Sequence, residues 1–197
     1  MIDISNISKD EPHRIFSKYY LKALGAGQQS IEAISISTFN KYDDEVSSRF
    51  VNLKYINKNE WIFFSNYNSN KGRDITTHNQ ISAAFYWNSI NTQIRIKAKI
   101  FKSPESFSNE HFLSRTKEKN ALAVSSKQSS PIDSYSTVIE NYKKVLNSDS
   151  LDRPEYWGGY SFIPYYFEFW EGHDSRLNKR NVYHLDNEKW THVVLQP

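Results

Sequence analysis

The stretch RFVNLKYINKNEWIFFSNYNSNKGRD, Arg49 to Asp74, decides how this chain is read. Two runs rich in aromatic and β-branched residues flank the tripeptide NKN, so the segment reads as two strands joined by a turn. A hairpin needs no cations to fold. Yet Arg49 and Lys54 stand in the first run and Lys71 and Arg73 follow the second, with small hydroxyls and amides between them. In a regular strand Arg49, Val51 and Leu53 share one face, and Phe50, Asn52 and Lys54 share the other. Arg49 and Lys54 then serve different groups, unless twist or a bulge redirects one of them. Gly72 permits a tight turn or a close backbone approach at a helix start. A helix N-terminus beside Lys71 and Arg73 is a natural seat for a phosphate.

The same pattern extends outward. IEAISIST (31–38), EVSSRFVNLKYI (45–56) and WIFFSN (61–66) read as an antiparallel meander. Residues 1–9 read as a flexible arm. Asp10 and Pro12 open a helix whose apolar face is Ile15, Phe16, Tyr19, Tyr20, Ala23 and Leu24, with Gly25 and Gly27 ending it. GRDITTHN (72–79) is a short helix and ISAAFYW (81–87) a strand. TQIRIKAKIFK (92–102) alternates, with Gln93, Arg95, Lys97 and Lys99 opposite Ile94, Ile96, Ala98 and Ile100. Helices are expected from Pro104 through Phe112, over KNALAVSS, and over 133–147, where Val138, Ile139, Tyr142, Val145 and Leu146 share a side. SDSLDRPEYWGG reads as a polar connection. YYFEFW, RNVYHL and WTHVVLQ close the chain as strands, the last two around DNEK. Residues 10–197 are thus expected to form one mainly β domain: a small antiparallel, Greek-key-like β-barrel with helices packed outside.

Bulk composition narrows the function. Of 197 residues 38% are hydrophobic and 15% aromatic, so Phe, Tyr and Trp must build much of the core. Net charge is +3 without a dense Lys/Arg block, which argues against a nucleic-acid partner. The absence of cysteine excludes disulfides and thiolate chemistry. No apolar window is long enough to span a membrane, and MIDISNISKDEPHR lacks a basic-then-apolar leader, so a cytoplasmic protein is expected. The six histidines form no compact metal pattern, and no glycine-rich nucleotide loop or G-x-S-x-G is present.

Other segments carry polar groups in useful order. Gln93 offers a paired donor and acceptor that match the edge of a flavin ring. SSKQSS (125–130) presents hydroxyls, an amide and a cation in a row. In WEGHDSRLNKR (170–180), Trp170 is placed to shield a flat ring, and Arg176 and Arg180 lie four apart. HFLSRTKEK spaces His111, Arg115 and Lys119 at i, i+4 and i+8, one face if the segment is a single helix.

Together RFVNLK, FFSNYNSNKGRD, TQIRI, SRTK, SKQSS, WGGY, EFW and SRLNKR resemble, in the same order, the pyridoxamine (pyridoxine) 5′-phosphate oxidases. The likeness runs from about Glu11 to Pro197. It implies an FMN-binding split β-barrel that works as a homodimer, with FMN sites at the subunit interface. FMN contacts are implied for Arg49, Phe50, Val51, Asn52, Leu53, Lys54, Phe64, Ser65, Asn70, Lys71, Gln93, Gln128, Ser129, Trp170 and Arg180. Among them, Arg49, Ser65 and Lys71 are implied for the FMN phosphate. Lys54 and Arg115 match the cations that receive the substrate phosphate, and the resemblance implies Arg176 as the residue above the reacting carbon.

The substrate side departs from the pattern. His111 replaces a usual Tyr and Lys119 a usual Ser. Asn178 replaces the His of an RLH triplet, and Asn70 replaces an Arg beside the FMN phosphate. The activity implied is oxidation of pyridoxamine or pyridoxine 5′-phosphate to pyridoxal 5′-phosphate, with O2 as acceptor and H2O2 as product. The alternatives are a related FMN oxidase of a carboxylated aromatic, such as a phenazine precursor, and a non-catalytic flavin-binding protein.

Overall fold

The alternating segment TQIRIKAKIFK becomes β6, Thr92–Lys102. Its Ile94, Ile96, Ala98 and Ile100 are buried, while Arg95, Lys97 and Lys99 face solvent. In the computed structural model, which describes residues 1–197, β6 lies in a nine-stranded sheet. The other strands are β1 (Asp3–Ile7), β2 (Ala33–Asn40), β3 (Glu45–Lys58), β4 (Glu60–Asn66), β5 (Gln80–Trp87), β7 (Trp157–Glu171), β8 (Lys179–Asp186) and β9 (Lys189–Leu195). Five α-helices surround them: α1 (Glu11–Gly25), α2 (Asn70–Thr77), α3 (Glu105–Ser114), α4 (Lys117–Ser125) and α5 (Tyr135–Leu146). No helix is long and apolar enough to cross a membrane.

The pairing closes on itself. β3 pairs β2, β2 pairs β5, and β5, β6 and β7 follow in turn; β4 then joins β7 back to β3, every pair antiparallel. The expected β2–β3–β4 meander is present. β4 to β5 is no hairpin: α2 carries the chain to the far side of β2. β8 and β9 extend from β7 as an outer hairpin, turned by Asn187 and Glu188, both at positive φ (45° and 64°). Trp61, Phe63, Phe85, Phe162 and Phe167 fill the interior. Phe16 of α1 meets Trp61 edge-on, with 4.4 Å between ring centroids.

Several expectations are corrected. Residues 1–9 are not a loose arm, because β1 pairs with β3 (Asp3↔Tyr55, Asn6↔Asn57). β2 ends its pairing with β3 at Asn52, and β1 takes the vacated edge beyond it. Ile2 is buried and its N–H donates to the Tyr20 hydroxyl at 2.9 Å. This β1–β3 pair is parallel, so the sheet is not wholly antiparallel. Leu24 is exposed, and α1 instead buries His13 with Phe16, Tyr20 and Ala23. β7 begins at Trp157, taking in residues expected to be connection. Gly158 permits this: a Cβ there would lie 2.1 Å from the Tyr67 hydroxyl. The face expected on the third helix exists as sequence, but no residue of α5 is buried.

Candidate active site

A cavity of about 770 Å³ opens between β3, β4, α2, α3 and the 125–130 loop. It gathers Arg49, Phe50, Val51, Asn52, Lys54, Phe64, Ser65, Asn70, Lys71, His111, Arg115, Lys119, Gln128 and Ser129 from the sequence reading. Both faces of β3 contribute, Arg49 and Val51 from one and Phe50, Asn52 and Lys54 from the other. Leu53 pairs with Phe63 but Tyr55 pairs with Ile62, so β3 carries one extra residue beside Lys54. Leu53 does not line the cavity: its side chain is fully buried in the core.

One end of the cavity is organised around Lys71. Gly72 lets α2 pack against the preceding turn, where a Cβ would lie 1.9 Å from the Tyr67 carbonyl oxygen. That contact buries Lys71, whose Nζ donates to Ser65 Oγ (2.8 Å), Ser69 Oγ (2.9 Å) and Gln128 Oε1 (3.4 Å). No carboxylate lies within ion-pair distance of Lys71. Burial, and secondarily the Arg49 charge, lower its pKa to about 8. Arg49 donates to Thr38 and lies 3.6 Å from Asp74, which also accepts from Thr38 Oγ1 at 2.6 Å. Arg73 departs from the expected role: it is exposed and bonds Asn70 Oδ1.

The other end holds Lys54, His111, Arg115 and Lys119. His111 and Arg115 are not on one continuous helix with Lys119. The chain breaks at Arg115 (ψ 159°), and Thr116 starts α4 anew. All three nevertheless line the cavity. The His111 ring stacks on Phe64 at 3.6 Å, and its Nδ1 is 2.9 Å from the Tyr55 hydroxyl. Burial first, then the charges of Arg115, Lys54 and Lys119, lower the His111 pKa to about 4, so the ring is neutral at pH 7. Arg115 lies over the Trp157 ring at 4.4 Å and donates from Nη2 to the Lys119 carbonyl at 2.8 Å. Its Nη1 is buried without a partner.

Gln93, Trp170, Arg176, Asn178 and Arg180 do not line this cavity. Gln93 faces Trp170 across β6–β7, and Trp170 faces Arg180 across β7–β8, so the three form a row on one sheet face. Buried Glu168 holds the row's cation: Arg180 donates to it at 2.8 Å and Arg95 at 2.8 Å. Arg176 is exposed at a loop turned by its positive φ of 64°, and Asn178 Oδ1 accepts from the His173 N–H at 3.1 Å. Three strand-to-strand steps separate β3 from β6, roughly 14 Å of sheet. The sequence reading assigned no site role to Glu32 and Trp157, which line the cavity, or to Tyr55, Ser69, Asp74 and Glu168, which hold its members or those of the row. Tyr55, Ser69 and Asp74 lie in the opening stretch itself, and Trp157 and Glu168 in WGGY and EFW; only Glu32 carried no local signal.

A buried lysine among hydroxyls, a second cation fixed beside it and a cavity that also exposes Phe50, Phe64 and Trp157 suit a phosphorylated flat ring. The family comparisons agree. Residues 22–145 match the family model described as pyridoxamine 5′-phosphate oxidase, and residues 157–197 match the C-terminal dimerisation region of pyridoxine 5′-phosphate oxidase. The chain belongs to the pyridoxine/pyridoxamine 5′-phosphate oxidase family. A pyridoxine/pyridoxamine 5′-phosphate oxidase of Leptospira biflexa is 35% identical over 95% of this chain and 89% of its own. One from Burkholderia lata is 33% identical, covering 100% of this chain and 93% of its own. The crystal structure of PhzG from Burkholderia lata 383, in complex with tetrahydrophenazine-1-carboxylic acid, superposes with TM-score 0.90 at 26% identity, over 95% of this chain and 93% of that one. An FMN-binding protein of Nostoc punctiforme shares the fold (TM-score 0.77, 12% identity, 96% and 99% covered). The protein is therefore an FMN-dependent oxidoreductase with a β-sheet core and peripheral helices.

Proposed function

We propose that the protein oxidises a small aromatic molecule carrying an anionic group, and that this molecule is pyridoxamine or pyridoxine 5′-phosphate. The observation that carries the reading is the cluster of Lys54, Arg115 and Lys119 on the cavity wall, with no carboxylate within ion-pair distance of any of them. Like charges gathered without a counter-charge repel unless an anion joins them. They form a second group of cations besides Arg49 and Lys71, so two anions are assigned to the site rather than one. Arg49, Ser65, Asn70, Lys71, Gln128 and Ser129 are assigned to the FMN phosphate end, with Phe50, Val51, Asn52 and Phe64 along the ring and the Leu53 backbone beneath it. Lys54, His111, Arg115 and Lys119 are assigned to the substrate anion. Bound flavin supplies the two-electron chemistry, with O2 as acceptor and H2O2 as product. The chain's part is to clamp both anions so that ring and substrate are held face to face.

Gln93, Trp170, Arg180, Arg176 and Asn178 are assigned to the same site through a second copy of the chain. They lie outside the cavity of their own chain, and four of the five fall in the segment matched as a dimerisation region. A homodimer brings one chain's row to the other's cavity, with Arg176 above the reacting carbon.

A second reading, oxidation of a carboxylated ring, is favoured by the likeness to PhzG and by Lys119 and His111 at the substrate end. Steady-state O2 consumption with pyridoxamine 5′-phosphate, pyridoxine 5′-phosphate and a dihydrophenazine carboxylate decides between them. Turnover confined to the carboxylate overturns the first reading. Sedimentation of the holoprotein should give about twice the 23.2 kDa chain mass. An active, flavin-saturated monomer overturns the shared site.

A further inference from the structure

The reading above places His111 against the substrate anion without saying what the ring offers it. Its surroundings settle that. Nδ1 meets the Tyr55 hydroxyl at 2.9 Å, the ring is clamped flat on Phe64 at 3.6 Å, and Tyr55 stands edge-on to it at 5.4 Å and 88°. The Tyr55 hydroxyl has no other partner in the chain, and neither does Nε2 of His111. A phenol is a stronger acid than a neutral imidazole N–H, and an imidazole nitrogen accepts better than a phenol oxygen. The proton in this bond therefore belongs to Tyr55, Nδ1 carries the lone pair, and the ring's own proton sits on Nε2.

We propose that Tyr55 is a positioning residue that fixes His111 as the Nε2–H tautomer, making His111 a neutral N–H donor to the substrate's anionic group. The proposal rests on the assignment of this end of the cavity to the substrate. It also gives His111 a division of labour with its neighbours. Lys54, Arg115 and Lys119 supply charge. A fourth charge among them is disfavoured, and a neutral donor adds direction without repulsion. The same donor serves a phosphate or a carboxylate, so the pair selects for an acceptor oxygen at a fixed point above Phe64, not for one anion.

The tautomer is read by 15N NMR of the histidine rings in ligand-free holoprotein at pH 7, with His111→Gln used for assignment. An unprotonated Nδ1 and a protonated Nε2 are expected as a single form, shifting toward a mixture of the two tautomers in Tyr55→Phe, which keeps the ring packing. An Nδ1–H ring in the wild type overturns the proposal. Affinity for pyridoxal 5′-phosphate and for phenazine-1-carboxylate is then followed by flavin absorbance. Tyr55→Phe should weaken whichever anion binds by about fivefold, the effect of one neutral hydrogen bond. His111→Phe should weaken it about thirtyfold, and His111→Gln, whose amide N–H reaches the Nε2 position, should recover most of that loss. Unchanged affinity in Tyr55→Phe, or a Gln variant as weak as Phe, overturns it. The NMR result needs no substrate, so a wrong substrate assignment shows separately, as the predicted tautomer with neither anion bound.

Discussion

The two ends of the cavity are both cationic, but they are built differently. At the Lys71 end the protein satisfies its own cations: Lys71 has three oxygen partners, and Arg49 has Thr38 and Asp74. At the Arg115 end the groups are left incomplete: Lys54, Arg115 and Lys119 have no carboxylate within ion-pair distance, and Nε2 of His111 has no partner in the chain. The difference follows from what each end must hold. A resident cofactor favours a site that stands ready and loses little order on binding. A substrate that arrives and leaves at every turnover is better served by groups that only the ligand completes.

The contrast breaks most readily at Lys71. Lys71→Ala should weaken FMN binding by roughly 1.5–3 kcal/mol, the range for a hydrogen bond to a charged group. The apoprotein should remain folded, because burial already disfavours the Lys71 charge. Titration of apoprotein with FMN, followed by flavin fluorescence, measures the first effect and a thermal melt the second. An unchanged FMN dissociation constant removes Lys71 from the phosphate end. Arg115→Ala should do the reverse. It should lower kcat/KM by about tenfold, mostly through KM, and leave FMN affinity within about twofold. A variant that loses flavin instead would show that the two ends are one site.

The pH dependence sharpens the same comparison. The Lys71 pKa is lowered to about 8, so the ligand-free site loses this positive charge as pH rises through 8. A bound phosphate favours the protonated form, and binding above pH 8 must therefore take up a proton. FMN affinity should fall about fivefold between pH 8 and pH 9, and the fall should vanish in Lys71→Ala. Calorimetry in buffers of different ionisation enthalpy counts the proton. His111, with its pKa about 4, should leave the affinity for a carboxylate ligand, which does not itself titrate there, flat from pH 6 to 8. A histidine-like inflection near 6.5 would contradict that difference between the ends.

Much of the sheet was legible in the sequence because its strands alternate or run apolar, and β6 and its neighbours fall close to the expected residues. β1 was not, because Ile2, Ile4 and Ile7 give a signal only once β3 is there to pair with. The membership of the cavity was carried by the family resemblance, and its local geometry was not. That Arg49 and Lys54 reach one space, from opposite faces of β3, depends on where the strand stands at the cavity rim, a property of its pairing with β2 and β4. The i, i+4, i+8 spacing of His111, Arg115 and Lys119 fitted a single helix as well as the broken one that forms. The alignment of Gln93, Trp170 and Arg180 required three strands in register. Glu168, which holds that row together, reads in sequence as one polar position among aromatics.

The smallest effect is expected at Asn178, where this chain differs from the RLH pattern. The residue is partly buried in the loop before β8, and its Oδ1 accepts the His173 N–H at 3.1 Å. That bond steadies the turn at Arg176, whose own N–H donates to the His173 carbonyl at 2.9 Å. Asn178→His removes one loop hydrogen bond and adds an imidazole beside Arg176. If the substrate is pyridoxamine 5′-phosphate, the imidazole restores a polar contact at the reacting end, and kcat/KM should rise by about threefold, within the range of one net hydrogen bond. FMN affinity and the Lys71 pH profile should not move, because Asn178 lies outside the cavity that Lys71 lines. The measurement is kcat/KM on pyridoxamine 5′-phosphate and on a carboxylated aromatic, for wild type and variant together. A loss on the phosphate substrate with a gain on neither would mean that the loop is shaped around Asn178 for a different ring. The second reading of the substrate would then be the stronger one.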